Sequence, residues 1–204
     1  MTRRLRRRFG PTCTPTIAAL WLVVLLSGCL GSKNPITPPE SATLDERLLG
    51  AWVTTELYYN ETVFMHVMQQ GGSAMMDVYE IRHNESGTGS ESSAQGHVSI
   101  LGDRHFLNLQ GPSDATPTVD APRYTFVAYE FDRRGDLIVH LLSEQDFGEA
   151  FKDGRLDGKV EMNADFVATL ISDSSERLAG YLASADTAAL HERQVTFHKL
   201  VPPQ

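Results

Sequence analysis

The sequence predicts an all-β fold, β-rich with two short helices, in which an antiparallel barrel of about eight or nine strands occupies residues 44–204. Three observations predict it. Short runs alternate apolar and polar residues with period two, the pattern of half-buried strands. Glycine-containing turns recur between them at Gly71-Gly72, Gly102-Asp103-Arg104 and Arg133-Arg134-Gly135, as hairpins require. Helical spacing is confined to two late stretches, with neither a βαβ rhythm nor an internal repeat. Many short strands shed their exposed edges when the sheet closes on itself, which favours a barrel over a sandwich.

Leu44 to Leu49 reads as one helical turn with Leu44, Leu48 and Leu49 apolar, and Gly50-Ala51-Trp52 opens a first strand running to about Tyr59. In 62–69, Val63, Met65 and Val67 point one way and Phe64, His66 and Met68 the other; 74–83 returns after the turn. Asn84 to Gln95 is too poor in apolar residues to pack and reads as a loop. His97–Leu101 and His105–Leu109 form a hairpin, and Gly111 to Pro122, with three prolines, is a second long loop. The strongest strands are 123–132 and 136–142, and neither face of them is wholly polar: Tyr124, Phe126 and Ala128 lie on one, Val127, Tyr129 and Phe131 on the other. Ser143 supplies an N-cap with an acid three residues on; Phe147, Ala150 and Phe151 follow at helical spacing until Asp153-Gly154 stops the helix. Residues 158–162 and 166–171 are extended. Ser172 to Glu176 caps a second helix with Leu178, Tyr181, Leu182 and Ala185 on one face, and 194–201 is a closing strand before Pro202-Pro203.

The chain before residue 44 has a different character. Five arginines (Arg3, Arg4, Arg6, Arg7, Arg8) precede an apolar run from Ile17 to Leu26, and Ser27-Gly28 leads into Cys29. A basic start, a short apolar middle and small residues at the end are the parts of a secretory signal peptide. Ten apolar residues fall short of the roughly 20 that a spanning helix needs. Leu26-Ser27-Gly28-Cys29 resembles the lipobox of bacterial lipoprotein precursors. The resemblance implies removal of residues 1–28, acyl chains of the palmitate kind on Cys29, and an anchor in the membrane of the cell envelope. Leu30, where the Gram-negative retention rule has Asp, favours the periplasmic side of the outer membrane. Thr2-Arg3-Arg4-Leu5 is similar to a twin-arginine signal, but an arginine-rich start yields such pairs by chance, and ordinary Sec export is expected.

The mature part keeps all 26 acids and 13 of the 18 bases, a formal charge of −13. So acidic a surface argues against nucleic acid and against lying flat on anionic lipid. Cys13 leaves with the signal and Cys29 is the acylation site, which excludes disulfides and thiol chemistry in the domain. Residues 29–43, Pro-rich, read as a lipidated tether reaching about 40 Å at ~3.1 Å per residue, with a single domain over 44–204.

Gly50-x-Trp52, after a helical turn and at the start of the first strand, resembles the entry motif of lipocalins and the wider calycin superfamily. In those barrels the Trp packs under the barrel floor against a basic residue from the last strand; Arg193 or Lys199 would serve. Tyr129-x-Phe131-Asp132, Phe151-x-Asp153-Gly154-x-Leu156-x-Gly158 and Ser172-Asp173-Ser174-Ser175-Glu176 resemble small uncharacterised bacterial lipoproteins of lipocalin-like type. That likeness implies a barrel and no activity.

No catalytic motif appears, and an enzyme is not expected: the chain has no Gly-x-Ser-x-Gly elbow, phosphate loop or framed carboxylate pair. His66, His105, His140 and His198 lie on expected strands without ligand-like spacing, so neither metal nor cofactor is expected. Met65, Met68, Met75 and Met76 suit gap-filling in a barrel. In 153–158, Arg155 stands where a calcium loop needs a ligand. The Asn60 and Asn84 sequons have no role in a bacterial lipoprotein. The expected function is that of an envelope lipoprotein whose barrel binds a small apolar ligand or lipid, since about eight strands enclose room for side chains or one small ligand. The alternative is a non-catalytic assembly or interaction factor of the envelope.

Overall fold

The computed structural model describes residues 29–55, 61–84, 89–111, 124–162, 167–184 and 191–200. The signal segment, the distal end of the first expected strand, most of the loop 111–122, Ala185 and Pro202-Pro203 lie outside these. In chain order the elements are β1 (Cys29–Ser32), β2 (Gly50–Thr54), β3 (Thr62–Gln69), β4 (Met76–His83), β5 (Gly89–Leu101), β6 (Arg104–Gln110), β7 (Tyr124–Phe131), β8 (Leu137–Leu142), α1 (Glu144–Lys152), β9 (Gly158–Met162), β10 (Val167–Ile171), α2 (Ser175–Ser184) and β11 (His191–Lys199).

Eight of the strands close into an antiparallel barrel of lipocalin-like form, in the order β2-β3-β4-β5-β6-β7-β8-β11 and back to β2. The register follows the alternation. Val63, Met65 and Val67 of β3 are buried inside, with Val78, Leu107, Val127, Val139 and Phe197 from other strands. Phe64 and Met68 are exposed outside.

The barrel carries an outer layer on one side. β10 pairs in parallel with β1 and antiparallel with β9, and Ser32 of β1 bridges to Tyr124 of β7. With α1 and α2 this small sheet covers a second core holding Leu30, Ile36, Phe106, Phe126, Phe147 and Leu178. Two-sided burial explains why neither face of β7 is polar. Val127 and Tyr129 face the barrel; Phe126 and Ala128 face the outer layer.

Two expectations are corrected. Residues 30–43 are not a free tether. Leu30, Ser32 and Ile36 are buried, at 3%, 0% and 0% exposure. Side-chain hydrogen bonds hold the stretch that follows: Ile36 N–H donates to Asn108 Oδ1 (2.8 Å), His97 Nε2 to the Thr37 carbonyl (2.9 Å), and Asn34 Nδ2 to the Asp173 carbonyl (2.8 Å). Thr37 and Ser99 share a hydroxyl hydrogen bond of 2.6 Å. Prolines here limit backbone entropy without preventing packing, and two apolar side chains suffice to seat the segment. Likewise, the polar loop expected over 84–95 is strand from Gly89, because its backbone pairs with β4 from Met76↔Gly96 to His83↔Gly89. Ladder bonds need no apolar side chains, and the first three residues of β5 are exposed.

The run 151–158 has a packing role. Gly154 takes φ +67° after α1, and Arg155 N–H closes onto the Ala150 carbonyl at 2.9 Å. Leu156 is buried, and a Cβ on Gly158 would lie 2.3 Å from Phe151 Cζ and 2.7 Å from the Leu170 carbonyl. Gly158→Ala is therefore expected to cost about 2–4 kcal/mol by overpacking, read as a lower urea midpoint at unchanged slope.

Candidate functional site

The two ends of the barrel differ. At the floor, Asp45 caps a 3-10 turn over Glu46–Leu48, accepting from Arg47 N–H, and buried Leu48 packs into the barrel core. Trp52 Nε1 donates to the Leu48 carbonyl at 2.8 Å, while Lys199 Nζ stands 4.9 Å from its ring centroid and donates to the Arg47 carbonyl at 3.2 Å. Lys199, rather than Arg193, is the basic partner of Trp52. Gly50 holds φ +120°, and a Cβ there would come within 3.2 Å of Lys199 Cε. Arg47 lies over Phe131 at 4.6 Å and grips Asp45 through Nε (2.9 Å) and Nη2 (2.8 Å). Tyr129 donates its hydroxyl to Asp45 Oδ2 at 3.1 Å. Burial pushes the Asp45 carboxyl up, but these hydrogen bonds and the Arg47 charge hold it below the usual carboxylate range. Burial and the Asp45 charge push the Tyr129 phenol up, so it stays a donor. Every group here serves another, which makes this a structural plug.

Inside the barrel the walls are apolar. Leu48, Met65, Val78, Leu107, Val127 and Phe197 are among the residues around a cavity of about 20 Å³. That is space for about one water molecule.

One charged residue breaks the pattern. The alternation of β4 turns Met76, Val78 and then Glu80 inward, and Glu80 is 4% exposed. Its Oε1 accepts from Arg82 Nε, whereas Oε2 is buried without a hydrogen-bond partner among the described residues. Ser92, its neighbour across the β4–β5 ladder, also has a buried, unpartnered hydroxyl. Burial raises the Glu80 carboxyl to about 7, with the Glu61 charge adding and Arg82 opposing. Near neutrality it can both give and accept a proton. The sequence reading passed over Glu80, although an acid in register with Met76 and Val78 on a core-facing side was the available signal.

The residues weighed for metal chemistry do not converge. His140 Nε2 meets Glu130 at 3.2 Å, His198 Nδ1 meets Asp136 at 3.1 Å, His105 packs on Tyr129 with ring centroids 5.5 Å apart, and His66 is exposed on β3. Among the described residues no group of three or more His, Cys, Asp or Glu stands close enough to hold a metal ion. Of the four methionines, Met65 and Met76 are buried in the barrel and Met68 is exposed. In 153–158, Asp153 pairs with Arg155 (3.2 Å), and Asp157 N–H donates to Asp173 Oδ2 (2.8 Å).

Opposite the outer layer, β3 and β4 present a bare wall. Phe64 sits across from Ile81 and His66 across from Tyr79; Phe64, Met68, Tyr79 and Ile81 are all exposed. A hollow of about 230 Å³ beside it has Asp77, Tyr79, Ser93, Ala94, Gln95 and Gln110 among its lining residues. Cys29, the first of the described residues, opens β1 and its backbone pairs with Ala168. No helix among the described residues is long and apolar enough to cross a membrane. No family model matches the chain, and no curated protein or solved structure matches it either.

Proposed function

We propose that the protein is a non-catalytic envelope lipoprotein, held on a membrane by acyl chains on Cys29, whose filled barrel is a rigid body for contact with another envelope component. The supporting observation is the cavity. Some 20 Å³ inside apolar walls is the size of a single water and leaves no room for a lipid tail. The bare wall around Phe64, Tyr79 and Ile81 offers the exposed apolar area that such contact needs. The acidic charge of the mature chain favours a basic partner. By the sorting rule, Leu30 favours the outer membrane, on its periplasmic side, in a Gram-negative cell.

A second reading keeps a small apolar ligand or lipid in the barrel, and the unpartnered Glu80 and Ser92 oxygens favour it. A ligand would have to displace Met65, whose unbranched side chain repacks readily. Native mass spectrometry of the Cys29→Ser domain separates the two. The interaction role expects an empty domain with no lipid-dependent thermal shift; a stoichiometric co-purified lipid would replace it with the ligand role. For the anchor, exchanging Leu26–Cys29 for an ordinary cleavable signal end should move the protein from membranes to the soluble envelope fraction. Continued retention after a salt wash counts against acylation.

A further inference from the structure

The outer sheet begins where the proposed anchor sits, and this determines how the domain meets a membrane. Cys29 is already in the ladder, paired with Ala168, and Leu30 follows into the second core at 3% exposure. Ser32 is fully buried and bridges to β7; Ile36 is fully buried against the barrel. Beyond β1, Asn34, Ile36 and Thr37 are tied by hydrogen bonds of 2.8, 2.8 and 2.9 Å to groups just before α2, on β6 and on β5 respectively, and Ser175 donates to the Pro35 carbonyl at 2.6 Å. No free residue separates the anchor position from the folded body.

We propose that acylated Cys29 holds the domain flush against the bilayer, with the end of β9 and the start of β10 lying at the lipid headgroups. The inference rests on acylation of Cys29. Neighbouring strands stand about 4.8 Å apart, so Val167 and Ala168 on β10, and Glu161 and Met162 beyond them on β9, lie within about 10 Å of the anchored residue by register. An acyl-glyceryl group seats at the headgroup level by burying its chains, and what is bonded to Cys29 must sit there too. β9 has no strand on its outer side among the described residues, so its outward backbone groups face whatever covers that edge. In the barrel order β3 lies directly across from β7, the strand that β1 bridges. Hence β3 lies on the far side of the barrel from the strand that β1 bridges.

The test couples residues 29–204, through Cys29, to a maleimide phospholipid in phosphatidylcholine vesicles and follows amide hydrogen exchange. Exchange in 158–171 is expected to slow several-fold on coupling, while 69–76 stays unchanged. Sixteen Gly-Ser residues inserted between Cys29 and Leu30 should restore the rates of the free domain. Unchanged rates in 158–171, or slowing that survives the insert, overturn the flush placement whether or not the cell acylates Cys29. Mass spectrometry of the cell-derived protein with an unacylated amino terminus overturns the anchor reading, and the proposal with it, even where the vesicle result holds.

Discussion

A chain begun at Leu44, the start of the expected barrel domain, should be less stable than one begun at Leu30 by at least about 5 kcal/mol and should bind a hydrophobic dye. Removing 30–43 strips Leu30 and Ile36 from the second core and bares Phe106 and Phe126 beneath them. Truncating one buried Ile or Leu typically costs about 2–5 kcal/mol. The polar layer suffers as well. Asn108 is fully buried; it accepts from Ile36 N–H and donates to Ser99 Oγ (2.8 Å) and the His97 carbonyl (3.3 Å). Without residues 36 and 37, Asn108 Oδ1 and the His97 ring lose their partners, at about 1–3 kcal/mol for each orphaned group. Urea unfolding of the two chains is the measurement. Equal midpoints would show the segment to be an appendage, whereas Ile36→Ala alone should lower the midpoint by about 2–5 kcal/mol equivalent.

Stability should also fall as pH rises from about 4.5 to 7, by roughly 3 kcal/mol, through Glu80 alone. Its folded-state carboxyl is raised from 4.5 to about 7 by burial. Below pH 4.5 both folded and unfolded chains carry the proton, so the contribution is fully present. Between the two values the folded chain binds more protons than the unfolded, and stability declines with pH; above about 7 the contribution is lost. Glu80→Gln should flatten this slope and leave the variant more stable than the parent at pH 8. His97 works in the opposite sense: burial lowers it despite its bond to the Thr37 carbonyl. Its contribution is present above the ordinary histidine value and lost as pH falls. Thermal unfolding of parent and variant from pH 4.5 to 8.5 checks both; parallel curves would remove Glu80 as the cause.

The barrel was legible because its strands are local patterns. Val63, Met65 and Val67 alternate with Phe64, His66 and Met68, and a period of two assigns a face without knowledge of the partner strand. The helices were legible for the same reason: the Ser143 hydroxyl accepts from Asp146 N–H at 3.3 Å, as its spacing suggested. Lys199 over Trp52 came from the Gly50-x-Trp52 resemblance, not from the alternation. Residues 30–37 and 89–95 were misjudged where long-range bonds hold a polar or proline-rich backbone. Asn108 lies 72 positions from Ile36, and no window of sequence displays that bond.

By itself the sequence determined the all-β barrel, the short apolar run before Cys29 and the acidic balance of the chain. Each is a matter of composition or of period along the chain. Only the tertiary structure decided that residues 29–37 are a strand and a strap, that the apolar side chains around Met65 and Val127 leave a cavity of only about 20 Å³, and that Glu80 is buried beside Ser92. Those depend on which surfaces meet. A buried acid is costly, and a proline-rich stretch is ordered, only through neighbours that folding brings from elsewhere in the chain.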